Sequence, residues 1–320
     1  MLEVIIIYIL FVLGFVFLIK GADLLIDGAS SLAQKIGIST FVIGITVVAF
    51  GTSMPELLVN VFSSAKGAAD LAIGNVIGSN ISNILLVLGV AAFIYPLTLK
   101  KGTIWKEIPL SLLAVFIILL MANDQLIEGK NFSELGRIDG LILIGFFIIF
   151  LYYTFGISKI TEEDEYTKIL SLNKSILFII LGSAGLLIGG KWIVDGAIFI
   201  AEQLGLSQAL IGLTIVAIGT SLPELAASAV AAFKKKIDIA IGNVVGSNIF
   251  NIFWVLGVSA SIKTLNFTTA LNYDIVFLIF TSLILFLFMF IGRHRVLEKW
   301  QGFTFILIYI AYIISLIYRG

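Results

Sequence analysis

The chain of 320 residues contains no cysteine. Disulfides, thiolate nucleophiles and cysteine metal sites are therefore excluded. It has one histidine, His294, in the segment GRHRVLEK, so a histidine-dependent triad or an intramembrane zinc site is excluded too. Charge is scarce: 12% of residues are charged against 60% hydrophobic, and mean hydropathy is +1.13. A soluble domain cannot hide that much apolar surface, which makes a bilayer the solvent. A phosphate-cradling glycine loop is missing as well, because GNVIGSN lies within an apolar span and lacks the lysine such a loop needs. An ATP-driven pump is not expected.

Long apolar runs are what the sequence has in quantity. About 20 residues cross the hydrocarbon core. On that measure ten spans are predicted, near 4–22, 38–64, 71–95, 105–122, 138–156, 174–196, 206–233, 239–261, 273–292 and 301–318. The first has neither a basic leading region nor a small-residue cleavage site, and reads as a retained helix. Alternating the loops between two sides collects thirteen basic residues on one, including Lys100, Lys101, Lys106 and the run Lys234–Lys236, against six on the other. By the positive-inside rule the richer side is cytoplasmic and both termini are external, in the cell membrane. Topology and lipid headgroups suffice to explain the lysine run.

The chain is one unit written twice. A shift of 168 residues lays IGITVVAFGTSMPEL on IGLTIVAIGTSLPEL and AIGNVIGSNISNILLVLGV on AIGNVVGSNIFNIFWVLGV, without a gap. Roughly half the positions between 21 and 93 are identical to their mates. The matched segments lie five spans apart, an odd number, so the copies cross in opposite directions. The expected fold is all-α and polytopic, with ten transmembrane helices in two inverted-topology five-helix repeats, at 1–157 and 174–320. Their motif regions are 44–93 and 212–261, and a polar, acidic cytoplasmic linker at 158–173 joins them. Secondary transporters are built this way, with the binding site near the midplane between repeats. A duplicated bundle without transport is the plain alternative.

The motif GTSMPE at 51–56, repeated as GTSLPE at 219–224, places a proline and an acid inside each repeat's second span. Proline has no N–H and clashes with the carbonyl four residues back, so Pro55 frees the Gly51 carbonyl and Pro223 that of Gly219. Freed carbonyls at membrane depth must line protein or a watery cavity. They are hard oxygen ligands suited to Na⁺ or Ca²⁺. Glu56 and Glu224 follow in the first turn of the continuing half-helix, where the dipole favours an acid. A charge at the bilayer centre costs about 2.5–3.5 kcal/mol on insertion scales. Bearing it twice, at mated positions, points to a divalent cation between the carboxylates; a protonated, hydrogen-bonded structural pair is the alternative. Thr52 and Ser53, with Thr220 and Ser221, add oxygens one turn away. In the next span Asn75, Ser79 and Asn83, and their mates Asn243, Ser247 and Asn251, recur every four residues as a polar stripe. Ser79, Asn83, Ser247 and Asn251 are read as cation contacts, although such residues also glue membrane helices together. Asn80 and Asn248 point off the stripe and are read as structural or lining. Gly74 with Gly78, and Gly242 with Gly246, have GxxxG spacing and are read as packing.

These two motifs, in this order and spacing, resemble the α1 and α2 repeats of the Ca²⁺/cation antiporter superfamily, and within it the short prokaryotic Na⁺/Ca²⁺ exchangers. The resemblance covers the whole chain. It implies a core of spans 2, 3, 7 and 8, with spans 1 and 6 sliding as a gating pair. It implies Ca²⁺ shared by Glu56 and Glu224 with the backbone carbonyls of Thr52 and Thr220. It further implies Na⁺ sites at Ser53, Ser79, Ser221 and Ser247 with the carbonyls of Ala49 and Ala217, while Asn83 and Asn251 complete the centre. Relatives that need K⁺ often have aspartate where this chain has Asn251, and the H⁺/Ca²⁺ branch has a further acid in these helices that GNVIGSN lacks. The reading is thus a Na⁺/Ca²⁺ antiporter, with a proton-coupled or K⁺-dependent exchanger as runner-up. A cation channel, or an intramembrane enzyme lacking any histidine base, fits less well. No cofactor is expected. The partners are Ca²⁺, Na⁺ and membrane lipid, not nucleic acid; a monomer is the simplest expectation.

Overall fold

The computed structural model describes residues 2–156, 170–205 and 217–319. Helix α1 is Leu2–Ile36. Helices α2, Thr40–Thr52, and α3, Met54–Lys66, form one span bent by 48° at Ser53. Next come α4, Ala69–Ile94, α5, Thr103–Met121, and α6, Arg137–Gly156. The second half contains α7, Leu172–Gln203, α8, Ala217–Gly219, α9, Leu222–Phe233, α10, Ile237–Ile262, α11, Thr269–Phe288, and α12, Lys299–Arg319. Eight of these are long and apolar enough to cross a membrane singly, and the bent pair makes a ninth span. Most of the first half of the predicted seventh span, and nearly all of the acidic linker, lie outside the described residues.

Two short antiparallel ladders tie the halves together. β1, Leu97–Thr98, pairs with β4, Val296–Leu297, while β2, Glu134–Leu135, pairs with β3, Leu265–Asn266. β1 and β3 are repeat mates, and each pairs with a strand of the opposite half, as a pseudo-two-fold axis in the membrane plane requires. Burial separates core from periphery. The apolar windows of α4 and α10 are 72% and 94% buried, whereas those of α6, α7 and α12 are only 28% buried and face lipid. The midplane between repeats is therefore made by α4 and α10.

The first and sixth helices run past the ends predicted for them, to Ile36 rather than 22 and to Gln203 rather than 196. Glycines at 14, 21 and 28 and their mates at 182, 189 and 196 let the two backbones touch. A Cβ on Gly21 would lie 2.7 Å from the Leu186 nitrogen, and one on Gly182 would lie 2.5 Å from that of Leu25. With no lateral hydrophobic force in lipid, such close backbone packing is what holds a helix pair. Asp23 and Asp27, whose charge made the predicted span stop short, are met by Lys234 at 3.1 and 2.8 Å. Gly242 and Gly246 pack as expected, bringing α10 onto α2. The mates of Phe41 and Ile45, at 209 and 213, lie outside the described residues, and Gly74 and Gly78 have no close backbone contact among the described ones.

Candidate ion-binding site

The site forms where both broken spans cross α4 and α10. Ser53 sits at the first break with φ −84° and ψ 11°, and Ser221 at the second with φ −84° and ψ 3°. Two breaks with nearly the same dihedrals follow from the same chemistry, proline at the next helix's start with no N–H to give. Each break restarts a helix with its glutamate in the first turn, Glu56 in α3 and Glu224 in α9. Both side chains are fully buried. α4 and α10 each change pitch where their asparagine faces the site: wide π-type turns run over Asn83–Val87 and Phe250–Leu256. Such turns collect at functional sites because they re-aim one side chain and loosen its carbonyls.

Hydrogen bonds cross between the repeats. The Ser53 hydroxyl donates to Glu224 Oε1 at 2.9 Å and lies 2.9 Å from Ser247 Oγ. Ser79 donates to Glu56 Oε1 at 3.3 Å and lies 3.5 Å from Thr220 Oγ1. Each carboxylate is thus bound through one oxygen to a serine, and each keeps its second oxygen, Oε2, buried with no partner among the described residues. Ser221 Oγ, Asn83 Oδ1 and Asn251 Oδ1 are buried and unpartnered in the same way. A buried acceptor left unpaired ordinarily costs about 1–3 kcal/mol. Here the unpaired atoms include oxygens of both acids and of both stripe asparagines. That pattern describes a cage with its oxygens turned inward. Among the described residues no three acids or histidines cluster, so the two glutamates stand alone as its charge.

The sequence-predicted residues fall into three groups. Ser53, Glu56, Ser79, Thr220, Glu224 and Ser247 are joined by the contacts above, and Ser221, Asn83 and Asn251 supply free oxygens. The Thr52 hydroxyl donates to Asn243 Oδ1 at 2.9 Å and reaches the Ala49 carbonyl at 3.3 Å. Ala49 is buried in the turn before the first break and accepts from the Ser53 amide at 3.0 Å. Ala217 begins α8, and its side chain is outside the described residues. Sequence reasoning undervalued three asparagines. Asn243 holds the Thr52 hydroxyl and donates to Ser228 at 2.9 Å. Asn80 and Asn248 bond directly to the stripe asparagines of the opposite repeat. The signal was present: a helix buried on every side has no lining face, so an asparagine off the stripe still meets protein.

The chain has clear relatives. The family model described as sodium/calcium exchanger protein matches residues 6–156 and 174–318. The sodium/calcium exchanger MaX1 of Methanosarcina acetivorans is 33% identical over 97% of this chain and 98% of its own length. The membrane protein MJ0091 of Methanocaldococcus jannaschii is 39% identical, covering 96% of each. Among solved structures, the sodium-calcium exchanger NCX_Mj superposes with a TM-score of 0.84 at 37% identity, over 98% of this chain and 99% of that one. Near-complete coverage in both directions, with the same helical architecture, makes this chain a multi-pass membrane protein of the sodium/calcium exchanger family.

Proposed function

We propose that the protein is a Na⁺/Ca²⁺ antiporter in which Ca²⁺ is held between Glu56 and Glu224. The observation that carries this reading is the set of buried oxygens, contributed by both repeats and unpartnered among the described residues, around two carboxylates that each accept from a serine. Ca²⁺ takes six to eight oxygens in irregular geometry. The glutamates, Asn83, Asn251 and the carbonyls of Thr52 and Thr220 supply that kind of donor. Na⁺ sites are assigned to Ser53, Ser79, Ser221 and Ser247 with the carbonyls of Ala49 and Ala217. Na⁺ at those positions draws on the same two carboxylates, so the ions compete for one pair of charges, and competition at a shared site yields exchange. Only a charge-neutralised cavity passes through occlusion, which couples the two fluxes. The functional unit is the pair of repeats, 1–157 and 174–320, and α1 with α7 is the sliding pair. With Na⁺ higher outside and both termini external in the cell membrane, Na⁺ entry drives Ca²⁺ out. The Asn251 amide, where an acid would add a third negative charge, favours coupling without K⁺ or H⁺.

The test is Ca²⁺ uptake by proteoliposomes preloaded with Na⁺, with and without an outward Na⁺ gradient, with and without K⁺, and with a pH gradient instead. Uptake that needs the Na⁺ gradient and ignores K⁺ is expected. Uptake that follows pH would move the protein to proton exchange, and uptake without any counter-ion would make it a channel.

A further inference from the structure

Asn80 and Asn248 are repeat mates, buried at the contact between α4 and α10. Neither has an unpartnered buried oxygen among the described residues, and each accepts from a site asparagine of the opposite repeat. A backbone carbonyl can only accept, and the Asn80 amide nitrogen donates to the Asn248 carbonyl at 3.1 Å. That bond fixes which end of the Asn80 amide is which. Its Oδ1 is thereby turned to Asn251, whose Nδ2 donates to it at 3.0 Å. With its NH₂ group engaged, Asn251 has only Oδ1 to present, and Oδ1 is buried without a partner among the described residues. Only the outer part of the arrangement recurs across the pseudo-axis, without a carbonyl bond from Asn248 Nδ2 among the described residues. Asn83 Nδ2 donates to Asn248 Oδ1 at 3.1 Å, and Asn83 Oδ1 is left free.

The two ends of an amide have almost the same shape and opposite polarity. Nothing in packing alone stops Asn83 or Asn251 from turning an NH₂ group toward a cation, where it would repel instead of bind. We propose that Asn80 is a positioning residue that locks the amide polarity of Asn251, so that Asn251 presents oxygen to the transported cation. The inference rests on the ion site proposed above. It also accounts for why the device exists in a chain with asparagine at 251: a carboxylate has acceptors at both ends and needs no such lock.

That last point supplies the test, a double-mutant cycle on transport and on Ca²⁺ binding by titration calorimetry. Asn80→Leu removes the lock and keeps the volume; the KM for Ca²⁺ is expected to rise about tenfold with kcat little changed, the usual scale for losing an outer partner of a metal ligand. In an Asn251→Asp background the same substitution is expected not to raise KM, because either end of the carboxylate binds and Asn80 Oδ1 would only face it acceptor to acceptor. A residue that merely packs would cost the same in both backgrounds. If Asn80→Leu does not fold, Asn80→Ala in the same two backgrounds carries the same expectations and decides. Equal losses in both backgrounds, or an unchanged KM in the single variants, would overturn the inference. Glu56→Gln distinguishes this from failure of the site itself. Lost Ca²⁺ binding in Glu56→Gln beside an unaffected Asn80→Leu sinks only the lock, whereas full binding in Glu56→Gln sinks the site.

Discussion

At the scale of single residues, the site is a small number of charges and many neutral oxygens, and those two kinds of group fail differently. Glu56→Gln or Glu224→Gln removes half of the compensating charge and puts an NH₂ group into a buried cage. Breaking a buried charge arrangement by removing one partner costs about 3–5 kcal/mol, so Ca²⁺ affinity should fall at least about a hundredfold in either variant. Radioactive Ca²⁺ uptake would show it, and normal flux in either variant would defeat the paired-carboxylate site. Asn243 is a neutral support and should fail by stability instead. Asn243→Leu strands the Ser228 hydroxyl and removes the amide that receives Thr52. A loss of about 1–3 kcal/mol is expected, read as a lowered melting temperature in detergent. These residues were unequally legible in the sequence. The acids stood out because charge at membrane depth is costly and the motif repeats. Asn80 and Asn248 did not, because a stripe at helical spacing assumes one polar face, while the apolar windows of α4 and α10 are 72% and 94% buried; Asn243 lay on the stripe, and only the fold brings it to Thr52 and Ser228.

At the scale of helices, composition and repeat predicted the broken spans and the five-residue match of proline, glutamate and flanking hydroxyls, and the dihedrals at Ser53 and Ser221 agree. It did not predict how far α1 and α7 extend. Hydropathy stops at Asp23, whereas the helix continues because a glycine every seventh residue keeps it against α7 and because Lys234, distant in sequence, meets its acids. A seven-residue glycine period is visible in the sequence, but only a partner backbone gives it meaning. Gly21→Ala tests that meaning. Its Cβ would press on backbone, 2.7 Å from the Leu186 nitrogen and 2.8 Å from the Gly182 oxygen, and neither atom can swing aside. Overpacking of this kind costs about 1–3 kcal/mol. Gly145→Ala, on lipid-facing α6 with no atom within 4 Å among the described residues, is the control and should be neutral or mildly stabilising. Thermal unfolding that treats the two alike would mean that α1 and α7 do not hold by backbone contact.

At the scale of the whole molecule, the repeats are equivalent in sequence but not in the contacts they make. Lys234 ends α9 and binds Asp23 and Asp27 of α1 at 3.1 and 2.8 Å. Its mate Lys66 ends α3, is exposed, and has no ion pair among the described residues; Asp195 of α7, the mate of Asp27, has none either. Among the described residues, α9 is therefore fastened to α1 by ion pairs, and α3 is not fastened to α7 in the same way. Inverted repeats reach their second state by exchanging conformations, since each half can adopt what the other half shows. On that argument the second state fastens Lys66 to Asp195 and releases Lys234 from Asp27. The absence of native cysteine makes the exchange measurable with Lys66→Cys and Asp195→Cys in one chain. Their cross-linking should be sparse while Lys234 is paired. Adding Lys234→Gln should raise it, because losing a partly exposed ion pair removes about 1 kcal/mol of bias, a change of about fivefold in the ratio of states. A yield indifferent to Lys234 would mean that the fastened end does not govern which face is open, and the alternation would have to be sought in the broken spans themselves.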